Sequence, residues 1–182
     1  MKTTVYILVT TARPHWLGKQ IAKSIARVGA RTSQINYKVV SLEDYNLPFM
    51  RSRRNDSRNW YRKLDDAAGF IFVTPFQNDR YPESLTKALK YLKQTWKEKP
   101  VGFVSYGYLN RRSASKELAV AASDLSMLPV AASVQIDQPW ELMAEDGEMT
   151  LSRSQQNRIS TMMTQINSTI RGQQLEQAKQ SS

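Results

Sequence analysis

The first ordered pattern in the chain is TVYILV at residues 4–9, an unbroken apolar run rich in β-branched residues, as a strand buried on both faces requires. Beyond it the apolar positions spread to intervals of three and four. Leu17, Ile21, Ile25 and Val28 predict a helix over 17–28 that Gly29 is placed to end. The same alternation then repeats. A second strand is predicted over 37–42 and, after a long polar and basic connection, a third over 69–75 (GFIFVTP). Pro82 suits the first turn of the helix that follows, whose stripe is Leu85, Ala88, Leu89, Leu92 and Trp96. A fourth strand over 100–105 (PVGFVS) precedes a helix over 115–125 with Leu118, Ala121, Ala122 and Leu125 on one face. A fifth strand over 130–136 precedes a last helix over about 152–171, striped by Ile159, Met162, Met163, Ile166 and Ile170. Residues 173–182 (QQLEQAKQSS) are expected to fray as a disordered tail, leaving 1–172 as the folded unit.

Five strands alternating with helices predict one parallel sheet covered on both faces, a doubly wound α/β architecture. Ligands of such sheets bind beyond the carboxyl ends of the strands, near the switch in strand order. Three loops therefore carry the search for function: 10–18, 75–82 and 105–113. In the first, TTARPHWLG, Thr10, Thr11 and Arg13 stand between strand and helix, where hydroxyls, a guanidinium and free backbone N–H groups can converge on a phosphate. Thr11 could equally serve as a helix cap. In the second, PFQNDRYP, Pro75 and Asn78 suit a tight turn and Phe76 could pack on a flat ligand. The third, SYGYLNRR, places Ser105 and Gly107 where backbone could approach a ligand, with Arg111 and Arg112 adding positive charge. Neither a Walker lysine motif nor GxGxxG occurs, which argues against a nucleoside triphosphatase and a dinucleotide-binding Rossmann domain.

Composition narrows the chemistry further. With no cysteine among 182 residues there are no disulfides, thiolate metal sites, iron–sulfur clusters or cysteine nucleophiles, and one histidine (His15) cannot build a multi-histidine metal site. An apolar share of 41% is enough to fill a core. Lys plus Arg number 26 against 16 acids, a net charge of +10. Half of that excess lies in residues 51–63, RSRRNDSRNWYRK, where six basic residues meet one acid and are interleaved with Trp60 and Tyr61. The stretch suits an anionic partner, but no groove-reading helix or nucleic-acid motif accompanies it, so nucleic acid is not the expected one. The N-terminal apolar run is too short for a signal-peptide core or a membrane span, so a cytoplasmic protein without membrane attachment is expected.

Several stretches in order, LEDYNLPF at 42–49, FIFVTPFQN at 70–78, YPESLTKALKYL at 81–92, WKEKPVGFVSYG at 96–107 and PWELMAEDG at 139–147, resemble the NADPH-dependent FMN reductases, a flavodoxin-like group containing quinone, azo-dye and chromate reductases. The resemblance covers about residues 4–147. It implies a five-stranded sheet of order 2-1-3-4-5, bound FMN, NADPH or NADH as hydride donor, a small-molecule electron acceptor (quinone, azo compound, metal oxyanion or free flavin) and a homodimer or homotetramer. Thr11 and Arg13 fall on the serine and arginine of the family's G-S-x-R phosphate loop. Pro75 and Asn78 match its P-E-Y-N loop along the flavin ring, and Ser105, Tyr106 and Gly107 match its S-Y-G-G loop. The implied cofactor site thus comprises Thr10, Thr11, Arg13, Trp16, Leu17, Pro75, Phe76, Gln77, Asn78, Ser105, Tyr106, Gly107 and Tyr108. Such chemistry needs no catalytic acid, nucleophile or metal, because the cofactor carries the electrons.

This sequence departs from the family inside those loops. Thr10 replaces a glycine, Trp16 and Gly18 stand where small polar residues often help hold phosphate, Phe76 and Gln77 replace Glu and Tyr, Asp79 and Arg80 replace small residues, and Tyr108 replaces the second glycine of the third loop. Two alternatives follow from the residues: a flavodoxin-like binding or regulatory protein without redox chemistry, or a polyanion binder using residues 51–63. A reductase is the reading the resemblance favours.

Overall fold

A computed structural model describes residues 3–11, 16–32, 35–44, 63–64, 66–76, 81, 83–91, 93–108 and 114–180. Its centre is a five-stranded parallel sheet in the order β2-β1-β3-β4-β5, with β1 at Thr4–Val9, β2 at Asn36–Ser41, β3 at Ala67–Phe76, β4 at Pro100–Gly107 and β5 at Leu128–Asp137. Every pair is parallel, so helical crossovers must cover the faces. Those helices are α1 (Trp16–Thr32), α2 (Glu83–Tyr91), α3 (Lys93–Trp96), α4 (Ala114–Asp124) and α5 (Arg153–Gln180). This strand order is the flavodoxin-like one, whose switch point lies between β1 and β3.

Strand alternation divides the core into two layers. Val5, Ile7 and Val9 of β1, Ile71 and Val73 of β3 and Val104 of β4 face α1 and α5, meeting Ile21, Ile25, Met162 and Ile166. Tyr6 and Leu8, Phe70 and Phe72, and Val101 and Phe103 face the other way, against Leu85, Leu89, Trp96 and Leu118. Because the inner strands are buried on both sides, they read as continuous apolar runs. The edge strand β5 is instead only partly buried. Its register slips by two residues against β4 between Val101 and Phe103, and the Gln165 side chain accepts the freed Ala132 N–H at 2.8 Å. Bulging and side-chain capping of this kind blunt an exposed edge.

Two expectations are corrected. Gly29 does not end α1, which continues to Thr32. A Cβ at Gly29 would stand 2.5 Å from the Tyr37 ring, so this glycine lets β2's aromatic press onto the helix. The last helix does not fray at residue 173 but runs to Gln180. Gln, Leu, Glu, Ala and Lys are good helix formers, and Gln173 Nε2 donates to Glu98 O at 2.6 Å. Gly172 sits within this helix with nothing near it, a local helix-propensity cost that the flanking residues outweigh. Among the described residues no helix is long and apolar enough to cross a membrane.

Candidate functional site

The carboxyl ends of β1, β3 and β4 lie side by side. Val9 pairs with Val73, Thr74 with Ser105 and Phe76 with Gly107, which brings Thr10, Thr74 and Ser105 to one level on one face of the sheet. All three side chains are buried. Thr10 extends the ladder through its N–H to Val73 O at 3.0 Å, and its Oγ1 donates to the same carbonyl at 3.3 Å. Thr11, two residues beyond the end of β1, is 6% exposed, and its Oγ1 has no hydrogen-bond partner among the described residues; Ser105 Oγ is likewise unpartnered. Buried hydroxyls normally find partners. Two without one at the carboxyl ends of β1 and β4 leave unmet hydrogen-bonding capacity at the edge where doubly wound sheets bind ligands.

The exits of β3 and β4 close on each other at Gly107. Its φ of +134° lies in a region that L side chains rarely adopt, and a Cβ there would stand 2.6 Å from Phe76 O. Phe76 packs edge-on against Tyr81, ring centroids 5.2 Å apart, leaving its carbonyl beneath Gly107. Gln138 N–H then donates to Gly107 O at 3.0 Å, tying the exit of β5 to the same corner.

Two of the residues expected at the cofactor have their side chains turned inward instead. Leu17 is buried in the layer between α1 and the sheet. Tyr106 is buried there too, because it shares the strand face of Val104; its hydroxyl comes to 2.7 Å from where a Cβ would stand on Gly18, beside Val9 Cγ1. Gly18 is therefore the seat for Tyr106 under the first turn of α1. Only the backbone of Leu17 and Tyr106 could meet a ligand at this edge. Trp16 and Tyr108 do face solvent, at 58% and 68% exposure. Arg13, Gln77 and Asn78 lie outside the described residues, as do Arg111, Arg112 and residues 51–62 of the basic stretch.

A charged group that sequence reading passed over sits beside this rim. Lys19 in the first turn of α1 forms ion pairs with Glu43 and, at 3.0 Å, with Asp44, which follow β2 in a 3₁₀ turn (Leu42–Asp44). The hydrogen bonds that the Lys19 ammonium donates to Glu43 and to Asp44 raise its pKa above the usual lysine range. Stretch 42–49 carries the family resemblance, and its two acids, Glu43 and Asp44, anchor the start of α1 through Lys19. Glu43 Oε2 and the neighbouring Ser41 Oγ are buried without a protein partner, as is the Tyr106 hydroxyl.

Burial, with a smaller contribution from the Glu43 charge, pushes the Tyr106 phenol well above its ordinary value. The unfolded phenol ionises near pH 10 while the folded one resists, so stability is unaffected below about pH 10 and falls above it by about 1.4 kcal/mol per pH unit. Tyr106→Phe is expected to flatten this alkaline limb in urea titrations run between pH 8 and 11. A variant whose stability falls as steeply as the parent's would refute the assignment.

A doubly wound parallel sheet of this order, with a glycine-closed corner where the β3 and β4 exits meet, defines a flavodoxin-like protein. The chain belongs to the NADPH-dependent FMN reductase family, whose match spans residues 3–141. It is an oxidoreductase of that type. An NAD(P)H-dependent FMN reductase of Schizosaccharomyces pombe is 30% identical over 134 residues, 68% of this chain and 67% of the relative. Among solved structures, the flavoenzyme NAD(P)H:(acceptor) oxidoreductase FerB of Paracoccus denitrificans superposes with a TM-score of 0.63 at 16% identity, covering 91% of this chain and 98% of that one. RosB, solved with 8-demethyl-8-formylriboflavin-5'-phosphate, gives 0.70 at 12% identity over 98% and 86%.

Proposed function

We propose that the chain holds FMN at the β1, β3 and β4 exits and uses NADPH or NADH to reduce a small-molecule acceptor: a quinone, an azo compound, a metal oxyanion or free flavin. The observation that carries this reading is the buried, unpartnered Thr11 Oγ1 just beyond β1, a hydroxyl that needs a partner at the carboxyl edge of the sheet, with buried Ser105 Oγ near the end of β4 in the same condition. The donor set fits a phosphate monoester: neutral hydroxyls and backbone N–H groups, with Arg13 two residues on as the countercharge. The glycine-closed corner at Gly107 offers backbone rather than side chain to a flat ring, and Phe76 and Tyr81 give that corner an apolar floor. FMN held there would supply the redox chemistry between the nicotinamide and the acceptor. The protein's share is to hold the phosphate, to fix the corner and, through the Lys19 pairs with Glu43 and Asp44, to keep the start of α1 in place.

The test is an FMN titration followed by flavin fluorescence, with the visible spectrum of the purified protein. Saturable binding is expected, and Arg13→Ala is expected to raise the Kd about tenfold or more, the loss of one charge-assisted contact. A colourless protein that leaves added FMN fluorescence unchanged would overturn the reading and return the binding-protein alternative.

A further inference from the structure

One aromatic pair at the ligand-binding edge is held in place by local backbone. Beyond β5, Gln138 takes a left-handed conformation (φ 44°, ψ 55°) that non-glycine residues adopt at a cost. Its N–H is fixed on Gly107 O, and Glu141 N–H closes the turn on Gln138 O at 3.0 Å. Buried Pro139 anchors the short 3₁₀ turn Pro139–Leu142. The outcome of this turn is to lay Trp140 against Tyr108, ring centroids 4.6 Å apart and planes at 55°. Neither ring gains a core position: Trp140 is 40% exposed and Tyr108 68%. Tyr108 is the residue after Gly107, so the pair stands at the corner where the β3 and β4 exits meet. Tyr108 also occupies the place of the glycine that the family's loop carries.

A strained turn that builds a water-facing aromatic pair beside a ligand corner serves recognition better than folding. We propose that Trp140 is an acceptor-binding residue that, with Tyr108, offers a stacking face selecting planar aromatic acceptors over compact ones. This rests on FMN occupying the corner, and it names the acceptor class that reading leaves open. Offset and edge-on ring contacts would supply the preference. Both members of the pair are uncharged aromatic rings, so the faces they offer suit a planar ring system such as a naphthoquinone.

The experiment compares Trp140→Ala and Trp140→Phe with the parent chain, each loaded with FMN, in NAD(P)H oxidation with 1,4-naphthoquinone and with ferricyanide. In the first assay the quinone gains two electrons and two protons to become the hydroquinone, the nicotinamide supplying hydride and the solvent a proton. Trp140→Ala is expected to lower the naphthoquinone-to-ferricyanide ratio of kcat/KM about tenfold, through KM for the quinone, and Trp140→Phe to recover most of it. An unchanged ratio in Trp140→Ala that still titrates with FMN would overturn the proposal alone. So would an unchanged ratio joined to a smaller mass by light scattering, which would make the pair a subunit contact. Absence of FMN binding by the parent chain would overturn the functional reading and this proposal with it.

Discussion

Gly107→Ala is expected to lower the unfolding free energy by about 2–6 kcal/mol and to raise the Kd for FMN at least tenfold. Two causes add. A φ of +134° costs a side-chain-bearing residue about 1–3 kcal/mol. The new methyl would also stand 2.6 Å from Phe76 O, a backbone atom that cannot swing aside, and relieving such an overlap costs about 1–3 kcal/mol more. Relief requires the β3 and β4 exits to part, which also disturbs the Gln138 N–H bond to Gly107 O. Gly147→Ala is the matched control, since its φ is +79° but nothing lies within 4 Å of the new atom. It should lose only about 1–2 kcal/mol and leave FMN binding as it was. Urea denaturation and FMN titration of the two variants decide the matter; equal losses in both would mean that close approach at Gly107 is unimportant.

Trp96→Ala is expected to cost about 3–5 kcal/mol, the range for emptying a fully buried aromatic site, with a fall in Tm on the order of 10 °C. Trp96 is 0% exposed at the end of α3 and lies edge-on to Phe70 at 4.7 Å and to Phe72 at 5.6 Å. Its indole Nε1–H donates to Leu89 O at 3.0 Å, in the last turn of α2. Truncation therefore opens a cavity and removes this hydrogen bond together. Trp96→Phe keeps much of the volume and loses the hydrogen bond, so it should fall between the two, about 1–3 kcal/mol below the parent. A loss under about 1 kcal/mol for Trp96→Ala would show that the layer refills the space. Because this layer lies under β3 and β4 rather than at their exits, FMN affinity of the folded Trp96→Phe protein should stay within about twofold of the parent.

Tyr106, Gly18 and Gly29 show where reading from sequence stops. Tyr106 matched a family motif position, but a strand side chain belongs to whichever face its neighbours two residues away belong to. With Val104 in the α1 layer, Tyr106 could only go there too. Gly18 was noted only as a departure from the motif, yet it is the partner that makes room for the Tyr106 hydroxyl. Gly29 looked like a helix stop because glycine commonly is one. Its reason is the Tyr37 ring, eight residues away on another element.

What the amino-acid order determined by itself was the alternation of strand and helix, hence the doubly wound sheet, its ligand-binding edge and the three loops to search. Buried parallel strands are continuous apolar runs and amphipathic helices repeat every three to four residues, both local signals that need no partner to be read. The motif stretches added the family. Only the tertiary structure decided which of the described loop side chains are buried and which face solvent, that Lys19 meets Glu43 and Asp44, that Gly107 closes on Phe76 O, and that Trp140 lies on Tyr108 from thirty-two residues away. Those are contacts between elements far apart in the chain, set by strand register and helix packing, and no local period encodes them.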